Sequence, residues 1–440
     1  MNLALSRRSL LAMATLPLLA PLRARAGEVI FTDRPADLPW SSLPPGTEVV
    51  IRAGRYDMPL VIPTRGTADR PVLIRAENPG AARFTQPIHL DGARHTILRD
   101  VTMTGTEHSA IVLQQGAEAV TVENCLLQDT ALGIWIGNGA GAGHRLIGNR
   151  LERCRTMGIA IDALNAAPGR ETWIQRNEIL DTGIHGMEIH GSHYVVTHNA
   201  VRRSGQGSAG CSGIHTFCRA PEDDHGKHNI IAFNICSDTR EVEAQDGNGI
   251  QADQWCDDNL IAFNICYGNH GAGINIYDAS RTVVVNNTVV GNMRDPGRTH
   301  AYRAEITLSS DYTRRMARPS GNRIENNICV ATQREATALW VEATAGSMPQ
   351  RIGNNLVYNT AGGEAFSWAA RRWRGSAPEV WADFTGGVDR VADPLFYDID
   401  QPGQEGFRLR PDSPAWGLAV NDAALALLDV TPNALGAVQA

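Results

Sequence analysis

The stretch "HNIIAFNIC" at residues 228–236 returns almost unchanged as "DNLIAFNIC" at 258–266. An Asn opens a related phrase at 149, 177, 199, 234, 264, 287, 327 and 355, at intervals of 22 to 40 residues. Between these phrases runs a Gly-led stretch: "GIWIGN" at 133, "GIAIDA" at 158, "GMEIHG" at 186, "GIHTFC" at 213, "GIQADQ" at 249 and "GINIYD" at 273. These stretches have the two-residue alternation of short strands and no helical periodicity. Because one repeat cannot bury its own apolar side chains, it must stack on the next, which predicts an all-β, single-stranded parallel β-helix of about ten turns. Equivalent residues of successive turns then lie one strand spacing apart, about 4.8 Å. Asn at the bend is positioned to hydrogen-bond its neighbour's backbone or amide, and the Ile and Cys after it are expected in buried rows.

Composition agrees with this reading. The 440 residues are 43% hydrophobic and only 6% aromatic, with 43 Gly, which suits many short strands joined by turns. Residues 1–26, "MNLALSRRSLLAMATLPLLAPLRARA", read as a signal peptide: an Arg pair, a short apolar stretch and small residues at Ala24 and Ala26. The Arg pair resembles a twin-arginine export signal, so a periplasmic or secreted protein is expected, cleaved near Ala26 and without a membrane span in its mature form. Its removal takes four arginines (7, 8, 23 and 25) and moves the formal charge from −7 to −11. So acidic a chain has no global basic surface for nucleic acid, and an anionic partner must be met by local Arg residues or a bound cation. Of the eight cysteines, Cys211 and Cys218 are spaced to close a small loop, while the rest read as small buried apolar residues. Four segments are expected: the signal, 27–90 as N-terminal cap and first turns, 91–360 as repeats, and 361–440 wrapping or capping the C-terminal end.

From about residue 45 to 420 the sequence resembles the right-handed parallel β-helix proteins of the pectin lyase-like superfamily. The resemblance rests on the repeats, on "PPGTEVVIRAGRYDMPLVIPTRGTADRPVLIRAENPG" (44–80), which looks like the opening of secreted alginate lyase and chondroitinase B relatives, and on "ADPLFYDIDQPGQEGFRLRPDSPAWG" (392–417). It implies a right-handed coil and, as function, action on a uronic-acid polysaccharide. It departs from known catalytic phrases: "WIGN" at 135–138 stands where the best-known pectate lyases have "WIDH", and the motifs of polygalacturonases, pectin methylesterases and mannuronan epimerases are missing. A fold of this kind hosts many chemistries, so function has to come from a site.

Alternation predicts which residues leave the coil. After each Gly the second and fourth residues face outward, so Glu188, His215, Gln251 and Asn275 form one column beside His190, Phe217, Asp253 and Tyr277 in the next. Trp135 and Gly137, Ala160 and Asp162, and Trp340 and Glu342 occupy the same places on other turns. Two long insertions, "CRAPEDDHGKH" (218–228) and "SDTREVEAQDGN" (237–248), flank these turns, and the first carries Lys227, the only lysine.

The leading chemistry is β-elimination. A base (His215, His190 or Lys227) removes the C5 proton, Tyr277 or a His protonates the leaving oxygen, and Arg219 or a cation neutralises the carboxylate. Gln251, Asn275 and Trp135 are candidates for binding sugar. Asp246, Asp253, Asp257 and Asp258 are the candidate oxygen ligands for Ca²⁺. The alternatives are hydrolysis by the carboxylates Glu188 and Asp253, or glycan binding without catalysis. Histidines 185, 190, 193 and 198 crowd one segment, but no HExxH is present and alternation sends them to different faces.

Overall fold

The computed structural model describes residues 27–438 apart from 138, 243–245, 296–303, 312–318, 370 and 374–388. The expected signal peptide lies outside the described residues. Three sheets run the length of the molecule, each of thirteen strands among the described residues. We call them A, B and C in the order in which one turn visits them, for example Tyr194–Thr197, Ala200–Arg202 and Ser212–Thr216. All pairing along the three sheets is parallel except the last pair of sheet C, Phe366–Trp368 with Arg371–Trp373. The strands from Glu48–Ile51 to Phe366–Trp368 number thirty-six, three to a turn, so there are twelve turns rather than about ten.

The opening phrase does structurally what its repetition suggests. In each of Asn149, 177, 199, 234, 264, 287 and 327 the side-chain Nδ2 donates to Oδ1 of the Asn one turn on, at 2.9–3.0 Å. The same oxygen also accepts the backbone N–H of the preceding Asn, and the second Nδ2 hydrogen goes back to a carbonyl such as Ile231 O. The eight Asn from 149 to 355 thus form one buried amide ladder, in which each Asn-to-Asn bond is donated toward the C-terminal end. The residue before each rung holds φ between 54° and 64°, and only Gly148 among them is glycine; Arg176, His198, Phe233, Phe263 and three Asn are not. That left-handed turn makes the bend between sheets A and B. Its cost of about 1 kcal/mol for a residue with Cβ is offset by the bonds it aligns. Inside, the core is a set of rows, among them Ile159, Met187, Ile214, Ile250, Ile274 and Ile306 in sheet C, and Cys236, Cys266, Val289 and Cys329 in sheet B.

All eight cysteines are unpaired and buried, so Cys211 and Cys218 form no disulfide. The extended strand Ser212–Thr216 lies between them and spans on the order of 15 Å, more than a disulfide bridges. The described part of the C-terminal segment runs back along the outside of the coil. Phe396, Phe407, Leu409 and Leu435 pack on Val290, Ile328 and Leu356 of sheet B, and Leu425 and Leu428 pack on Leu260, Ala262 and Val285 of sheet A.

The ladder ends on a carboxylate. Oδ1 of the fully buried Asp389 accepts both the backbone N–H and Nδ2 of Asn355, while Oδ2 is unpartnered. Burial pushes this carboxyl up to about 7. A folded-state value above the unfolded one means that ionisation opposes folding: the penalty is nearly absent at pH 4, grows as pH rises and is complete above about 7. Asp389→Asn, whose Nδ2 would meet Ile352 O as earlier rungs meet theirs, is expected to raise stability at pH 8 by on the order of 2 kcal/mol. Urea midpoints should converge as the pH falls toward 4; equal midpoints at pH 8 would contradict the assignment.

Candidate active site

The predicted outer column is present. In sheet C, Trp135, Ala160, Glu188, His215, Gln251, Asn275, Thr307 and Trp340 are partners in unbroken register. Its environment differs from the expectation. Gln251, Asn275 and Thr307 point out of the coil yet are buried. Gln251 Oε1 accepts from Ser212 Oγ and Asn248 Nδ2, both at 2.8 Å, while Asn275 Nδ2 and Thr307 Oγ1 have no partner among the described residues. Alternation shows which way a residue points, and what lies over it depends on loops between strands.

The chemical centre is His215. Its Nε2 lies 3.3 Å from Asp253 Oδ2 one turn on, and its Nδ1 lies 3.6 Å from Glu188 Oε2 one turn back. Burial opposes charge on this imidazole, but the two carboxylates outweigh it and raise its pKa to about 10. His215 is therefore a cation at neutral pH and not the free base expected of it. Burial likewise opposes charge on Glu188, but His215 and its neighbours outweigh it and hold that carboxylate below its usual range. Glu188 remains the more accessible partner, its side chain 23% exposed against 8% for His215. Asp246 lies on the other flank, where Asn248 Nδ2 donates to its Oδ1 at 3.2 Å; shielding from solvent and then Asp253 push this carboxyl up to about 7.

His190 is buried, with Phe217 and His225 set edge-on around it at 5.0 and 4.8 Å. The backbone N–H of Ala163 donates to its Nδ1. A neutral imidazole with that lone pair occupied carries its proton on Nε2, which here has no partner. Burial lowers its pKa, so His190 offers a hydrogen bond where a base was expected. Arg219, exposed, lies 3.9 Å from Asp162, which in turn is 3.8 Å from His190. The Trp135 indole lies across Gly137, where a Cβ would come within 2.6 Å of the ring. Tyr277, half-buried, ends the strand after that of Gln251 and pairs with Ser309.

Lys227 is not part of this centre: its Nζ donates to Asp223 O within its own loop. Nor do the four aspartates assigned to Ca²⁺ converge. Asp257 and Asp258 are held by Arg281 at 3.0 and 2.7 Å, and Asp253 is taken by His215. Among the described residues, the acid, His and Cys groups whose ligand atoms lie within 4.8 Å of one another are His185–Glu188–His215 and His190–Asp223–His225. His185 and Asn248 were not foreseen as site residues. His185 lies before Gly186, at a corner where alternation no longer tells the face, and its ring stacks on His215 at 4.3 Å.

Residues 87–222 match the family of right-handed β-helix regions. Solved structures with the same fold include the A-module of the mannuronan C-5 epimerase AlgE6 from Azotobacter vinelandii (13% identity, 79% of this chain and 92% of that one, TM-score 0.52). The A-module of AlgE4 from the same organism is similar (14%, 79% and 90%, 0.50), as is a variant of the PL6 family alginate lyase AlyGC (15%, 88% and 60%, 0.54). Aligned with that lyase, this chain spans 60% of its length. No curated protein matches the sequence. The molecule has the right-handed parallel β-helix fold.

Proposed function

We propose that this is a carbohydrate-active β-helix enzyme that acts on a uronic-acid-containing polysaccharide by β-elimination. The observation that carries the reading is the ionised, partly exposed Glu188 beside a buried His215 cation, with the unpaired Nε2–H of His190 and the Arg219 guanidinium on the same face. Proton removal next to a carboxylate needs two things: a base, and donors that take up the charge spreading onto the carboxylate. Glu188 is the base and returns the proton to the leaving oxygen, while His190 Nε2–H and Arg219 receive the substrate carboxylate; Tyr277, three turns along sheet C and so about 14 Å from Glu188, is too distant to act on the same linkage. Trp135 gives a flat apolar surface on which a sugar ring can rest. The likeness to an alginate lyase and two mannuronan C-5 epimerases supports the substrate class, since each is named for action on a polyuronate.

One observation favours a second reading. Glu188 and Asp246 are carboxyls whose surroundings drive them apart, one low and one near neutrality, as hydrolysis of a glycosidic bond requires of a base and an acid. A panel of polyuronates and neutral glycans separates the two. Elimination yields an unsaturated product with new ultraviolet absorbance, and Arg219→Ala should raise KM on polyuronate about tenfold or more. New reducing ends without that absorbance would establish hydrolysis, and neither signal on any glycan would leave binding alone.

A further inference from the structure

His185 is 5% exposed and takes no part in the reading above. Three contacts define it. The backbone N–H of Ser212, one turn on, donates to its Nδ1 at 3.1 Å. Its Nε2 lies 3.5 Å from Glu188 Oε2. Its ring lies nearly parallel to that of His215, 18° between planes. The first contact decides the second. A backbone N–H cannot reverse its role, so the Nδ1 lone pair is occupied and the proton of the neutral ring must sit on Nε2, facing Glu188. The same occupancy removes His185 as a metal ligand, because its only outward nitrogen already carries hydrogen.

Glu188 Oε2 is therefore approached from two sides, by His185 Nε2–H and by His215 Nδ1–H at 3.6 Å. Both distances are long for completed bonds, as is common before substrate tightens a site, and a small rotation of the Glu188 side chain shortens either. Oε1 forms no hydrogen bond among the described residues. We propose that His185 is a positioning residue for Glu188: a neutral imidazole locked by Ser212 as an Nε2–H donor, which with His215 holds Oε2 so that Oε1 meets the substrate proton. The proposal rests on the reading of Glu188 as base. Two features fit it. Burial and the neighbouring His215 charge drive His185 down to about 3, so the ring is neutral near neutral pH. The other charged or titratable groups around Glu188 are His215, with Asp253 and Asp246 behind it, and His190, with Asp162 and Arg219 beyond. All of these remain in a His185 variant.

Three substitutions test it on the full chain. Gln carries its amide N–H near Nε2, Asn carries its own near Nδ1, and Ala carries neither. His185→Ala and His185→Asn are expected to lower kcat about tenfold or more with KM nearly unchanged. The acid limb of the pH profile should move up by roughly half a unit to one unit, because a donor to the ionised carboxylate is lost. His185→Gln should restore both. Equal rates for the Gln and Asn variants, or a fall in kcat without movement of the acid limb, would overturn the proposal. Histidine NMR gives a readout that needs no turnover: the signal missing from the variants should be a neutral, Nε2-protonated ring down to about pH 4 in the wild type. A cationic or Nδ1-protonated His185 overturns the proposal even in an active enzyme. The expected tautomer with no activity on any glycan would instead discard the reading of Glu188.

Discussion

Glu188→Gln is expected to lower turnover on a polyuronate by about a thousandfold, the scale of losing a positioned base, with KM changed little. The amide keeps the shape and volume of the carboxylate. What it loses is the charge that opposes His215 at 3.6 Å and the lone pair that takes the proton. The His215 cation then keeps Asp253 as its remaining carboxylate neighbour, so its pKa should fall from about 10 while the ring stays tied to Asp253 Oδ2. Circular dichroism should match that of the wild type, while the urea midpoint at pH 7 should fall modestly, because the buried His215 cation loses one of the two carboxylates that offset its burial. A variant that keeps a tenth of the wild-type rate would move the base elsewhere on this face.

The second large effect is on stability. Asn264 accepts the N–H and Nδ2 of Asn234 at 2.9 and 3.0 Å, and its own Nδ2 donates to Ile231 O and Asn287 Oδ1. Asn264→Ala leaves two donors and a carbonyl unsatisfied in a fully buried site, at about 1–3 kcal/mol each before relaxation, so a loss of about 4 kcal/mol is expected. Asn149→Ala, at the start of the ladder, strands fewer groups, because its Oδ1 serves only Cys125 N. It should cost about half as much. Urea denaturation followed by fluorescence checks both. For Asn264→Ala a broadened transition is also expected, because a coil whose turns contact only their neighbours can come apart at a weakened turn. Equal losses for the two variants would mean that the ladder is not acting as a connected unit.

The parts of this architecture that repeat were legible, and the parts that occur once were not. Eight Asn phrases identified the eight rungs, and two-residue alternation identified the column from Glu188 to Asn275. Both follow from local chemistry that every turn repeats. The protonation states were hidden. That His215 is a cation and His190 a donor depends on Asp253 and Ala163, thirty-eight and twenty-seven residues away in sequence. The capture of Asp257 and Asp258 by Arg281 depends on a register that spacing alone does not show, and Lys227 turned inward because its loop closes on itself. Residue type suggested which groups could act, but each group's hydrogen-bond and ion-pair partners are set by neighbours on other turns.

The amide ladder has one more implication. Each rung presents the same socket to the turn before and the same plug to the turn after, so a whole turn can be copied or dropped in frame and the break will seal itself. The twin phrases at 228 and 258 occupy adjacent turns in matching register, as two such interchangeable turns would. Between Glu188 and Asp253 that interchange fails, because an added storey there would pull His215 away from one of its two counter-ions.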